Sequence, residues 1–328
     1  MIENFLNKRY SLRNLTDQEF ETILPSLAAE LEQVDYTPSY SDDVLLKDWE
    51  KLKSWHSTKN TFNSTSRLGI KLCEHFFPNF YDIEMKNKSF RTLWKKENLE
   101  KILRWNRKSH STPYLSELKR GIYFCCGLTK NTMYRPQMAK LVCATYKPKI
   151  VLDPCMGWGG RMMGVVASGA HYIGFEPNTE TFNNLNKLAE FLNIEKSVTL
   201  IHDDALNMLA YNLPKVDLVL TSPPYYNLEI YSHETTQSIT NHSSYSSWSQ
   251  HFYRPLIHLC LQHLTQNGVS CWNVGKMGSD DMWADLEKYH TELGYNKCQE
   301  FGIVSSKRQA INKTGSEKSQ DTTAVYKA

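Results

Sequence analysis

The chain has 328 residues, enough for one elaborate domain or two of ordinary size, and its 41% apolar and 22% charged composition is that of a globular protein with a substantial core. No run of about eighteen apolar residues is available to span a bilayer, and MIENFLNKRYSLRN lacks the apolar core of a secretory leader, so a cytoplasmic, non-membrane protein is expected. The eight cysteines form no C-x-x-C pair, which argues against a zinc site or a disulfide framework, and a net charge of +3 is too small to signal a polyanionic partner by itself.

The first 120 or so residues read as a mostly helical region. LTDQEFETILPSLAAELEQV has helical periodicity, with Thr16 placed to cap and Glu19 to close a capping box. Between Lys86 and Lys108 the charge turns basic, opposed only by Glu97 and Glu100, with Phe90, Trp94 and Trp105 interleaved. Such a run suits phosphate contact and base stacking, and it also suits a solvated helical face.

From residue 121 onward a single α/β domain is expected, a doubly wound sheet of alternating strands and helices. The strand runs are IVLDP (150–154), HYIGFE (171–176), VTLIH (198–202), VDLVLTS (216–222) and GVSCWNVG (268–275). Helical patterns lie between them at 158–168, 178–192, 204–211, 244–265 and 279–292. Two further runs, 297–305 and 322–328, are joined by a polar stretch from Lys307 to Lys318 and predict a terminal antiparallel hairpin.

The chemistry-bearing residues fall at the ends of successive strands. Asp153-Pro154-Cys155-Met156-Gly157-Trp158-Gly159-Gly160 follows the first strand and opens a helix, where glycines permit a sharp turn and close backbone approach to a ligand. Glu176 ends the second strand and can accept hydrogen bonds from ribose hydroxyls; Asp204 follows the third and can receive an adenine amino group, although a helix N-cap is a competing role for it. The fourth strand ends in Ser222-Pro223-Pro224-Tyr225.

This tetrapeptide, after the glycine loop, resembles the motif of the S-adenosylmethionine-dependent DNA amino-methyltransferases that act on cytosine N4 or adenine N6. The resemblance implies a class I (Rossmann-like) methyltransferase sheet, S-adenosyl-L-methionine as cofactor, and no metal. It implies cofactor contacts from Asp153, Cys155, Gly157, Gly159, Glu176 and Asp204, and, more loosely, from Thr132, Tyr134 and Pro136 in TKNTMYRPQM. Ser222 Oγ and the Pro223 carbonyl would accept from the target amine, the prolines would fix the backbone, and Tyr225 would stack on a flipped-out base.

Cys155 stands where the family often has an aromatic residue, and Gly159-Gly160-Arg161 extends the loop. About sixty residues separate glycine loop and tetrapeptide, leaving no room there for target recognition, which points instead to the N-terminal region, the 231–245 insert or the 307–318 segment. On this reading the partner is DNA, cytosine N4 is favoured over adenine N6 by the serine, and a cognate restriction nuclease is compatible. The alternatives are an RNA-base or protein-glutamine N-methyltransferase, or a catalytically silent nucleic-acid-binding module.

Overall fold

The computed structural model describes residues 2–56, 66–274, 281–302 and 322–328. The helices are α1 (Asp17–Glu32), α2 (Asp42–Ser54), α3 (Ile70–Phe76), α4 (Phe90–Leu93), α5 (Lys96–Lys108), α6 (Leu115–Cys125), α7 (Pro136–Tyr146), α8 (Gly160–Val166), α9 (Thr179–Phe191), α10 (Tyr245–Trp248), α11 (Arg254–His263) and α12 (Met282–Thr291). The strands are β1 (Ile150–Asp153), β2 (His171–Phe175), β3 (Val198–Ile201), β4 (Val216–Thr221), β5 (Leu264–Val274), β6 (Asn296–Gly302) and β7 (Thr322–Lys327). The polar connection from Lys307 to Lys318 lies outside the described residues.

Two compact units do not follow chain order. A helical unit comprises Met1–Pro38, Pro78–Thr132 and Glu229–Tyr231; a sheet unit comprises Ser39–Phe77, Met133–Leu228 and Ser232–Ala328. In the helical unit α1 starts at the expected capping box, Thr16 accepting from the Glu19 amide while Glu19 accepts from the Thr16 amide. Leu24, Leu27 and Leu31 of α1 then pack with Leu99, Ile102 and Leu103 of α5 and with Leu118 and Ile122 of α6, each on one helical face. The Trp94 indole N–H, buried with this core, donates to the Leu31 carbonyl at 3.0 Å.

The sheet unit holds one seven-stranded sheet in the order β3-β2-β1-β4-β5-β7-β6, parallel from β3 to β5, with β7 antiparallel between β5 and β6. This is the class I methyltransferase sheet with its terminal antiparallel pair. β1 and β4 read as continuous apolar runs because both faces are covered. Val151, Tyr172, Leu218, Leu220 and Cys271 face a core shared with α2, α3, α7, α8 and α9; Leu152, Ile173, Val219 and Trp272 face a second core with α11 and α12. The two-residue period of a strand sends alternate side chains to the two cores.

Residues 39–77 join this unit through buried polar ties. Lys140 of α7 donates from Nζ to the carbonyls of Leu52 and Lys53 at 2.9 and 2.6 Å, capping the C-terminus of α2 with a cation. Asp48 of α2 accepts from the Gly69 and Lys71 amides at the start of α3.

Two expected helices differ in detail. The 204–211 run is a 3-10 turn, Ala205–Ala210, capped by Asp204, and it is too short to repay α-helix nucleation. The 244–265 run is broken by a π turn over Ser249–Tyr253 ahead of α11. Pro255 explains the break, since it lacks an N–H and its ring collides with the carbonyl four residues back. Among the described residues, no helix is long and apolar enough to cross a membrane.

Candidate active site

The sheet brings its candidate residues to the carboxyl ends of β1 to β4, where open α/β sheets place ligands. Asp153, the last residue of β1, is fully buried. Its Oδ2 accepts from Arg161 Nε at 2.7 Å and from the Tyr172 hydroxyl at 2.8 Å; its Oδ1 accepts from Thr221 Oγ1 at 2.8 Å and from the Cys155 amide at 3.2 Å. One carboxylate therefore joins the ends of β1 and β4 to β2 and to α8, and fixes where Ser222 begins relative to the glycine loop.

Arg161 is buried beside it. Burial works against the guanidinium charge, but Asp153 and the Tyr172 and Tyr134 phenols more than offset this and raise its pKa. Its Nη2 also donates to the carbonyls of Cys155 and Met156, and its guanidinium lies 5.2 Å from the Tyr134 ring centre. The arginine thus pins the chain just before the glycines turn.

The glycines divide the work. Gly157 and Gly159 adopt φ of +57° and +70°, a left-handed backbone that disfavours other residues. A Cβ on Gly157 would meet nothing nearer than the Cys155 carbonyl at 4.0 Å, so the backbone there borders open space. At Gly160 and Gly164 the reverse holds: a Cβ would lie 2.1 Å from the Tyr134 carbonyl and 2.2 Å from the Pro136 carbonyl. Here α8 and the start of α7 touch backbone to backbone, with Pro136 occupying the first turn of α7.

Glu176, just beyond β2, is also buried, and among the described residues no cation lies at hydrogen-bond distance from it. Its Oε2 accepts from the Gly157 amide at 2.9 Å and its Oε1 from the Asn178 amide at 3.0 Å. Burial pushes its carboxyl up to about 7, opposed by those two amides. Asp204, after β3, accepts from the Leu206 amide at 2.9 Å, and burial raises its carboxyl too. Cys155 is half-buried, with its thiol pushed up by burial, so it presents a neutral, weakly polar surface.

At the end of β4, Pro223 is buried and Ser222, Pro224 and Tyr225 are half-buried. Ser222 Oγ makes no hydrogen bond to any described residue, which leaves it available to a ligand. The Tyr225 hydroxyl reaches the Asn273 carbonyl on β5 at 3.4 Å, and Asn273 Oδ1 accepts from Thr323 Oγ1 on β7 at 3.1 Å. Tyr226 takes φ of +44° and packs 5.9 Å from the rings of both Tyr245 and Trp248. A bulky residue at such an angle turns the chain sharply directly after the tetrapeptide.

The returning segment reaches the turn that carries Glu176: the Thr179 amide donates to Glu234 at 3.2 Å and Thr236 Oγ1 to the Pro177 carbonyl at 3.3 Å. Thr132 is exposed and belongs to the helical unit, where its amide donates to Asn131 Oδ1. Sequence reasoning noted Arg161 only as part of an extension and missed Tyr172 and Thr221. The signal was present in GRMMGVV, where a single charged residue in an otherwise apolar helix requires a buried partner.

These geometries suit S-adenosylmethionine. A buried carboxyl raised to about 7 at a strand end can accept ribose hydroxyls, a glycine in a left-handed turn borders open space among the described residues, and a serine without a hydrogen bond to any of them follows β4. Residues 148–256 match the family described as RNA cap guanine-N2 methyltransferase. The chain is an S-adenosylmethionine-dependent methyltransferase.

The match corrects the resemblance to DNA amino-methyltransferases. A hydroxyl or amide acceptor followed by Pro-Pro and an aromatic specifies how a conjugated amine is held, not which polymer carries it. Ser222-Pro223-Pro224-Tyr225 therefore could not decide between DNA and RNA. No curated protein sequence matches this methyltransferase.

Solved structures similar to part of it include precorrin 8W decarboxylase from Methanobacterium thermoautotrophicum, at 14% identity and TM-score 0.40, covering 62% of this chain and 94% of that one. TrmN from Thermus thermophilus matches at 15% identity and TM-score 0.42, over 58% of this chain and 48% of that one. An rRNA methylase from Streptococcus thermophilus matches at 14% identity and TM-score 0.39, over 60% and 98%.

Proposed function

We propose that this methyltransferase modifies an exocyclic amino nitrogen of an RNA base, with guanine N2, the acceptor named by the matching family, as the first nitrogen to test. The observation that carries this reading is the extent of the match. Residues 148–256 take in the glycine loop, Glu176, Asp204 and Ser222-Pro223-Pro224-Tyr225, the whole run of strand-end groups.

The bound cofactor supplies an electrophilic methyl group on a sulfonium. The chain's own residues do the rest. A base amine conjugated with its ring is a poor nucleophile, so acceptors must draw on its N–H groups while the nitrogen lone pair turns toward the methyl carbon. Ser222 Oγ and the Pro223 carbonyl are those acceptors, held in place by Thr221 and Asp153 behind them. Tyr225 offers its ring as a stacking face for the base. Glu176 accepts from the ribose, and Asp204 from the adenine amine.

Incubation with methyl-labelled cofactor and separate RNA, DNA and protein acceptors, followed by nucleoside mass spectrometry, tests the reading. Label is expected in an N-methylated RNA nucleoside, and label confined to DNA or protein would refute it. Ser222→Ala should lower turnover by about 100-fold while cofactor affinity stays within about twofold. Equal losses in both would separate Ser222 from the acceptor role.

A further inference from the structure

We propose that the helical unit carries a docking surface for single-stranded RNA, formed by the Trp105–Phe124 ring pair together with the cationic cleft on the same helix α5. The proposal rests on the RNA reading above and names where the polymer is held away from the reacting base.

The first observation is an aromatic ring with no core to enter. Helix α6 buries Leu118, Gly121 and Ile122, yet Phe124 is 69% exposed. Trp105 of α5 lies nearly parallel to it, with ring centres 5.9 Å apart and planes 15° apart. The Arg120 guanidinium stands 5.4 Å from the Trp105 ring and 5.6 Å from the Phe124 ring. The arrangement is an aromatic face with Phe124 open to solvent, backed by an arginine that Glu117 holds at 2.8 Å, which is what an unpaired base stacks upon.

The second observation is a cationic cleft whose charge is met only in part within the unit. A cleft of about 370 Å³ is lined by Arg13, Arg104, Arg107, Lys108 and His110, with Glu21 as its acidic member. Arg104 pairs with Glu21, and Arg107 pairs with Asp17. Arg13 and Lys108 make no ion pair with any described residue, and neither does Lys101.

On α5 the spacing Lys101, Trp105, Lys108 sets a ring between two such cations along one helical face. Lys108 lines the cleft and stands three residues from Trp105 on α5, so cleft and ring pair adjoin along the same helix. Duplexes keep their bases stacked and paired, so this combination favours a single strand.

The test uses the full-length chain and a fluorescein-labelled twelve-nucleotide single-stranded RNA, with the same sequence as DNA and as an RNA duplex for comparison, read by anisotropy. Phe124→Ala should weaken single-stranded RNA binding by about 10-fold, and Phe124→Trp should restore it. Arg13→Ala and Lys108→Ala should each weaken it about threefold and flatten the plot of log affinity against log salt by about 0.7. S-adenosylmethionine affinity should not change in any of them.

Unchanged RNA affinity in Phe124→Ala with a native circular dichroism spectrum would overturn the proposal. So would equal weakening for duplex, tighter binding of the DNA strand, or a dimer in sedimentation that Phe124→Ala dissociates. Because binding is read without turnover, Phe124-dependent RNA binding with no methyl transfer to RNA would fault the proposed reaction and not the surface.

Discussion

Arg161 in the sheet unit and Arg104 in the helical unit are each held by a carboxylate, but under opposite conditions. The Arg161–Asp153 pair is 2.7 Å long with side chains 6% and 0% exposed, whereas Arg104–Glu21 is 2.8 Å long with side chains 47% and 55% exposed. Water solvates the second pair when it breaks, while nothing replaces a partner lost from the first. Charge in the sheet unit thus fixes the geometry of the site. In the helical unit part of the basic stretch is met by nearby carboxylates, as in Lys95–Glu32, Arg91–Asp82 and Arg107–Asp17, in pairs open enough to water to be exchanged for a partner's charge.

The largest expected effect lies on the buried side. Asp153→Ala leaves Arg161 without its counter-ion and should destabilise the protein by about 3–5 kcal/mol in urea unfolding. A loss below about 1 kcal/mol would erase the distinction between the two pairs.

Next comes His290, fully buried, whose Nδ1 donates to the Leu286 carbonyl while Nε2 accepts from Ser270 Oγ. Burial pushes it down to about 3, against the pull of the Leu286 carbonyl and with His258 adding to the fall. The unfolded chain takes up this proton from about pH 6.5 downward. The contribution is therefore complete above that pH and is lost as pH falls toward 3. Between pH 7 and 4 the loss should be about 3 kcal/mol, and His290→Phe should remove this part of the acid sensitivity even if it lowers stability at pH 7.

Glu176 runs the other way. With its carboxyl raised to about 7, its contribution to stability is present below the ordinary carboxylate range and is lost as pH rises through 7. If Glu176 accepts the ribose hydroxyls as proposed, binding favours its ionised form, and cofactor affinity should rise about tenfold from pH 6 to 8. Calorimetry in buffers of different ionisation enthalpy should show a proton released on binding, and Glu176→Gln should abolish both effects. The smallest effect belongs to the exposed pair: a double-mutant cycle of Arg104→Ala and Glu21→Ala should give a coupling indistinguishable from zero at physiological salt.

Much of the sheet was legible because its signals are local. Val216 to Thr221 reads as a strand from six consecutive positions, and the capping box at Thr16 from two residues. The allegiance of residues 39–77 was not legible: amphipathic helices declare that a face is covered, not what covers it. That α2 and α3 side with the sheet rests on Lys140 and Asp48 reaching backbone groups more than twenty residues away. The placement of β7 between β5 and β6 likewise depends on pairing that no short window contains.

The sequence by itself determined the strands of the parallel part of the sheet and the presence of a carboxylate at or just after each of the first three, because strand period and glycine turns are written in neighbouring residues. It also placed Ser222-Pro223-Pro224-Tyr225 directly after the fourth strand. Only the tertiary structure decided what the first two carboxylates do. Asp153 receives an arginine, two hydroxyls and an amide, and ties the ends of β1 and β4 to β2 and α8. Glu176 receives two amides and no arginine among the described residues, and burial raises its carboxyl to about 7. The two look alike along the chain, and what separates them is the set of donors that folding brings within 3 Å or so of each.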